Sequence, residues 1–202
     1  MPWIEVIPFR SATGKLREIY ERMTGPDGGV DNIMQLHSLR PHSMEGHMAL
    51  YKNVLHHTSN ERPKWFLELL GIWVSALNDC AYCRLHHEVG LKRLMHDGER
   101  VDAMLAAVTA RDIDSMPVRQ AERAALRYAR KLTERPAELT SQDVWPLREA
   151  GLSDGEILEI NQVVAYFAYA NRTVLGLGCS TEGDVLGLSP GNLDDPQDWS
   201  HS

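Results

Sequence analysis

Apolar residues crowd every side of residues 65–77 (WFLELLGIWVSAL), a pattern that on a helix means burial all round. The exceptions, Glu68, Gly71, Ser75 and Asn78, fall three or four apart and form one small, polar stripe along which another helix can come close. Asn78 and Asp79 disfavour a helix interior and suit a cap, so the chain is expected to turn back there. A second helix then starts at Cys80. Positions 80, 83, 87, 91 and 94 form its buried seam, and Arg84, Glu88 and Lys92 form an exposed i, i+4 ion-pair ladder. It closes at His96-Asp97-Gly98.

The same periodicity predicts helices over residues 12–24, 31–39, 41–57 and 99–111, from Pro117 to Arg135, over 140–150, and from Ser153 to about Leu177. Gly25 to Gly29 stops the first of these, Arg135-Pro136 stops another, and Ser153-x-x-Glu156 is a capping box. Residues 1–10 read as an extended arm too apolar to hang free, expected to pack on its own body or on a neighbouring subunit. No segment alternates like a strand, so the fold class is all-α. A single domain is expected over 1–180, with an N-terminal helical part at 10–60 and a core at 61–178. Residues 181–202 are expected to be a tail, Pro/Asp/Ser-rich and loosely ordered over 189–202.

A chain of 202 residues, 43% hydrophobic and 24% charged, can bury a substantial core. The net charge of −7 counts against nucleic-acid and anionic-membrane partners, which call for basic patches. No apolar run approaches the roughly 20 residues that cross a bilayer, and the start, MPWIEVIPFR, has no signal-peptide pattern. Three cysteines, two of them in a CxxC, fit redox chemistry in a reducing compartment, so a cytoplasmic location is expected.

On a helix, Cys80, Cys83 and His87 lie within roughly 60° of one another. If the chain reverses at Asn78-Asp79, Glu68 and His87 sit roughly 15 and 12 Å from the turn, nearly level. Glu68 is then placed to hold the His87 ring while His87 faces Cys83. Cys80, at the helix start, feels the positive end of the dipole, which lowers a thiol pKa. A zinc site using Cys80, Cys83, His87 and Glu68 stays open on these residues, as does an inert pair of core cysteines. Trp65 and Trp73 are expected to wall the pocket and exclude water. Tyr82 and His86 are further candidates for its lining. Cys179 reads as a small buried apolar residue. His42, His47, His56 and His57 lack the i, i+4 spacing of a helix-borne metal pair and read as a solvated or capping face.

Glu-x11-Cys-x2-Cys-x3-His, with Cys-Ala-Tyr-Cys at its centre and the late helix EILEINQVVAYFAYANRTVLGLG, resembles the signature of the AhpD-like alkyl hydroperoxidases. These belong to the carboxymuconolactone decarboxylase superfamily, and the likeness, over about residues 5–180, is strongest to its peroxidase-related branch. It implies an AhpD-like helical fold with the motif on a central hairpin, and a thiol-dependent peroxidase. Cys83 would be the peroxidatic thiol, Cys80 the resolving one, and His87 with Glu68 a proton relay. Well-studied members carry a second His just before the peroxidatic Cys, where this chain has Tyr82, a phenol with a pKa near 10 and a poorer proton shuttle at neutral pH. The resemblance further implies no bound cofactor, a small hydroperoxide substrate, re-reduction by a dihydrolipoyl or thioredoxin-type protein, and a homo-oligomer built from dimers, trimeric or hexameric. No flavin, haem or nicotinamide motif is visible. The rival classes are a thiol–disulfide carrier or redox sensor, and decarboxylase or isomerase chemistry, which in the superfamily's other branch does not rely on a CxxC.

Overall fold

A helix that is apolar all round has no face to offer to water, and Lys64–Leu77 (α4) accordingly lies at the centre, with Phe66, Leu67, Leu69, Leu70, Ile72, Trp73 and Val74 inaccessible to solvent. A computed structural model of the chain describes residues 2–25 and 28–188. In chain order its other helices are α1 (Gly14–Met23), α2 (Asn32–Gln35), α3 (Pro41–Tyr51), α5 (Ala81–Leu94), α6 (Gly98–Ala110), α7 (Gln120–Glu134), α8 (Trp145–Glu149) and α9 (Asp154–Leu177). A π-helical turn, Lys52–His56, extends α3. No strand occurs among the described residues. The all-α architecture is therefore the one the hydrophobic pattern predicts.

α4 packs against α5, α7 and α9. The small stripe on α4 is where α9 docks. A Cβ at Gly71 would lie 2.1 Å from the Phe167 ring of α9, and Asn171 of α9 donates to Ser75 Oγ at 3.1 Å and accepts from Asn78 Nδ2 at 2.9 Å. Gly71→Ala is expected to cost up to about 2 kcal/mol, because the 2.1 Å approach puts the overpacking penalty toward the upper end of about 1–3 kcal/mol, above alanine's helix advantage of about 1 kcal/mol. Thermal unfolding checks it: the melting temperature should fall by several degrees, and Phe167→Leu in the same chain should recover part of the loss.

Loop residue Arg62, just before α4, is clamped by Glu122 of α7 at 2.7 Å and Glu156 of α9 at 2.9 Å, while Glu159 accepts from the Glu61 and Arg62 backbone. A smaller apolar cluster joins α1 to α3 through Ile19, Tyr20, Met23, Met44 and Met48, and Ile33 and Tyr51 pack against both clusters. The N-terminal arm lies on its own body. Ile7 N–H donates to Ser38, Tyr20 donates to the Ile7 carbonyl, and Trp3 N–H donates to the Leu177 carbonyl, although the Trp3 ring stays 75% exposed.

Two expectations need correction. Leu94, expected at the end of the buried seam, is 41% exposed because α5 outruns the core there. Residues 181–188, expected as the start of a tail, pack onto the hairpin, with the Asp184 side chain only 3% exposed. The remainder of the expected tail, residues 189–202, lies outside the described residues. No helix among the described residues is long and apolar enough to cross a membrane.

Candidate active site

Asn78 caps the end of α4, Asp79 takes the left-handed conformation (φ 54°) that aspartate tolerates better than most residues, and Cys80 is the N-cap of α5. The chain thus reverses within three residues, with Cys80 N–H bonded to the Ser75 carbonyl at 2.8 Å. Arg111, just after α6, secures the turn through Asp79 (2.7 Å) and the Ala76 carbonyl (3.0 Å). The reversal brings Glu68 and His87 together. His87 Nδ1–H donates to Glu68 Oε2 at 2.5 Å, which fixes the tautomer and leaves Nε2 as an acceptor. Gly90 makes room for the acid: a Cβ there would sit 3.2 Å from the carboxylate. Burial pushes the Glu68 pKa up, but the charge and hydrogen bond of His87, with His56 and Arg93 nearby, outweigh it and hold the group below its usual value.

The cysteines are both reduced and buried. The Cys83 thiol hydrogen-bonds the Cys80 sulfur, and this sets their ionisation apart. Cys80 falls to about 7: the Cys83 S–H bond outweighs burial, and the backbone N–H groups of Cys83 and Tyr82 and the Asn171 side chain also favour its charge. Cys83 rises well above the usual thiol value because its proton is engaged by Cys80 and because it is buried. The two titrate as a pair, in which the charge is favoured on Cys80 and the proton on Cys83.

The two sulfurs face different spaces. Cys83 lines a cavity of about 50 Å³ together with Glu68, His87, His47, Tyr166 and Phe167, and the edge of the His87 ring meets Phe167. Cys80 instead borders a groove between Ala76, Arg84 and Thr109. Residues 181–188 close one side of the cavity. Asp184 accepts from Tyr82 OH at 2.6 Å, from the Asn32 backbone at 3.0 Å and lies 3.3 Å from His86 Nε2, while Gly187 and Leu188 form part of the wall.

Comparison of the sequence with family models and with curated proteins gives no match. Among solved structures, a peroxidase-related AhpD-core protein from Ralstonia eutropha superposes with a TM-score of 0.74 at 22% identity, over 89% of this chain and 91% of that one. The chain has the AhpD-like fold. A peroxidase-related protein from Silicibacter gives 0.69 at 23% identity, over 89% and 88% of the two chains. The debrominase Bmp8, as a Cys-to-Ala variant with 2,3,4-tribromopyrrole, gives 0.68 at 22% identity, over 89% and 92%.

Within the AhpD-like fold, the residues singled out from the sequence divide into groups. Glu68, His87 and Cys83 share the cavity, and Cys80 adjoins it through Cys83. Tyr82 and His86 line it, and Tyr82 stays a phenol, since burial and Asp184 raise its pKa well above the usual value. Trp73 does not line it: the ring faces α7, with Nε1–H donating to the Leu126 carbonyl at 3.1 Å, because an inaccessible indole needs a buried acceptor. Trp65 lies edge-on to Phe66 under the Arg100 guanidinium, away from the cavity. His47 and His56, expected on a solvated or capping face, are both buried, His47 in the cavity wall and His56 close enough to Glu68 to act on its charge. The π-helical turn advances the helix face by an extra residue and carries His56 inward. Cys179 is only half-buried beside the main core, with a pKa pushed by burial to about 12. No group of three or more His, Cys, Asp or Glu side chains among the described residues is arranged to hold a metal ion.

Sequence reasoning missed Asp184, which sits in a stretch that reads as tail, and the contact of Asn171 with the sulfurs. An asparagine amid the apolar face of α9 was the available signal for the second, since a fully buried amide must find partners.

Proposed function

We propose that this protein is a thiol-dependent peroxidase that reduces a small hydroperoxide at Cys83 and closes a Cys80–Cys83 disulfide. The observation that carries the reading is a cavity where Cys83 and the Glu68–His87 pair meet, with a second sulfur, ionised near neutral pH, hydrogen-bonded behind it. In the first step the Cys83 sulfur attacks the terminal oxygen of ROOH, its proton passing to the Cys80 sulfur that already accepts it. The O–O bond breaks, and the leaving alkoxide takes up, by way of His87 Nε2, a proton supplied by solvent. Cys83 is then a sulfenic acid. Cys80, giving its proton to the relay, attacks that sulfur, and the hydroxyl leaves with that proton as water. The balance is a thiol, a thiolate, a proton and ROOH to one disulfide, ROH and water. An external dithiol, small or protein-borne, returns the disulfide to thiols.

A cavity of about 50 Å³ is a third of the ~150 Å³ that accommodates benzene in an engineered case. It suits a hydroperoxide head group and few carbons, whereas a bulky arene would need the strap at 181–188 to move. The fold shared with Bmp8 supports a second reading, reductive removal of halogen from a pyrrole by the same dithiol. One assay separates the readings. With dithiothreitol as donor, ethyl hydroperoxide should be consumed with one disulfide formed per peroxide, while a bromopyrrole should release no bromide. Oxidation by disulfides with no peroxide consumed would instead identify a thiol–disulfide carrier.

A further inference from the structure

Beyond the motif, the cavity wall carries a histidine that the proposed reaction does not use. His47 of α3 belongs to a chain of rings, the buried His37, His47 and Tyr166 and the partly exposed Tyr169, whose hydrogen-bond roles follow one from another. His37 Nδ1 lies 2.9 Å from the Ile33 carbonyl, which can only accept, so the ring proton is on Nδ1. Its Nε2 then accepts from Tyr169 OH at 3.1 Å. Burial lowers the His37 pKa, which leaves that ring its single proton.

His47 Nε2 lies 3.2 Å from Tyr166 OH. Burial, with His37 beside it, lowers the His47 pKa to about 3, so this ring is neutral too. A proton on Nε2 would point at the phenol oxygen and leave both the phenol hydrogen and the Nδ1 lone pair buried and unmatched. A proton on Nδ1 lets Tyr166 donate to Nε2 and leaves a single unmatched group, Nδ1–H. Buried polar groups without partners are costly, so the second arrangement is the stable one. Nδ1 has no partner among the described residues, and His47, 4% exposed, lines the cavity that holds Cys83 and His87.

We propose that His47 Nδ1–H is a substrate-binding donor, which selects small neutral hydroperoxides carrying a carbonyl oxygen over plain alkyl hydroperoxides. The inference rests on the peroxidase reading and names its substrate class. The class follows from the cavity: an unmatched donor calls for an acceptor, Asp31 and Glu68 in the same wall disfavour an anion, and the volume limits size. An entering carbonyl would match a donor that an alkyl chain leaves unserved.

Peracetic acid and ethyl hydroperoxide differ by that one oxygen and form the test pair. In His47→Phe, kcat/KM for neutral peracetic acid should fall roughly tenfold or more, chiefly through KM, as expected for a lost buried hydrogen bond. Any loss on ethyl hydroperoxide, which brings no carbonyl to Nδ1–H, should be several-fold smaller, and far-ultraviolet circular dichroism of the variant serves as the folding control. His47→Asn, which keeps an N–H close to the Nδ1 position, should recover part of the peracetic acid rate. Equal losses on both peroxides would overturn the inference. If the wild-type protein reduces neither peroxide, the peroxidase reading falls, and ¹⁵N-histidine NMR of a Cys80→Ser, Cys83→Ser variant still decides the donor. The His47 signal should show the Nδ1–H tautomer and shift on adding methyl acetate, an inert isostere of peracetic acid. An Nε2–H tautomer, or a signal that methyl acetate leaves unmoved, would overturn it.

Discussion

Cys83→Ser will abolish hydroperoxide turnover, and Cys80→Ser will stop it after one chemical event, for different physical reasons. Cys83 is the sulfur that lines the cavity, and a serine hydroxyl in its place cannot take an oxygen from a peroxide. With Cys80 replaced, Cys83 can still be oxidised, but no second sulfur is present to displace the hydroxyl. The sulfenic acid should therefore accumulate and be trapped by dimedone as a single adduct on Cys83, mapped by mass spectrometry. An adduct on Cys80 in the complementary variant, at the wild-type single-turnover rate, would reverse the assignment. Turnover that persists in the double variant would rule out a thiol mechanism. The ionisation order can be read in the same series. Cys80 is held at about 7, so its alkylation by iodoacetamide should rise with pH through the neutral range. Removing the S–H donor in Cys83→Ala deletes the largest cause of that lowering, and the alkylation midpoint should move up toward the ordinary thiol value.

The parts of this arrangement that could be read from the sequence are those set by local rules. The reversal at Asn78-Asp79, the small stripe at Gly71 and Ser75, and the capping box at Ser153 each depend on residues a few positions apart, and each is found where the pattern puts it. Level placement of Glu68 and His87 follows from counting turns on both arms of a hairpin, and the 2.5 Å contact agrees with that count. What escaped depends on distant chain or on a break in periodicity. Residues 181–188 carry no helical pattern, so nothing local signals that Asp184 returns to Tyr82 and His86. His56 reaches Glu68's neighbourhood only because the helix widens to a π turn, which a regular 3.6-residue period cannot anticipate. Trp73 was misplaced for a related reason. On a helix buried on every side, hydrophobicity says that a ring is inside without saying which neighbour it meets, and its N–H was decided by the Leu126 carbonyl on α7.

Glu68→Gln should lower kcat/KM for ethyl hydroperoxide by roughly 10²–10⁴-fold, the range for losing a general acid–base group, while leaving the protein folded. Glutamine has nearly the same volume, and its amide oxygen can still accept from His87 Nδ1–H, so the ring's tautomer and position survive. The negative charge does not. In the native pair that charge offsets the imidazolium formed each time His87 takes up a proton, inside a wall of buried side chains where an isolated cation is expensive. Glu68→Ala is the poorer test, because it also leaves a void and removes the partner from the buried His87 ring. Since Glu68 acts through His87, Glu68→Gln with His87→Asn should lose no more than the worse single variant, whereas independent contributions would multiply. The pH profile adds a second reading. Glu68, held below the ordinary carboxylate range, stays ionised across neutral pH and should not shape the profile there. The rise through about pH 7 belongs to Cys80, and it should persist in Glu68→Gln at the lower rate. A Glu68→Gln variant within about threefold of wild type, far short of the expected loss, would mean that the buried carboxylate serves to hold α4 against α5 and takes no part in moving the proton.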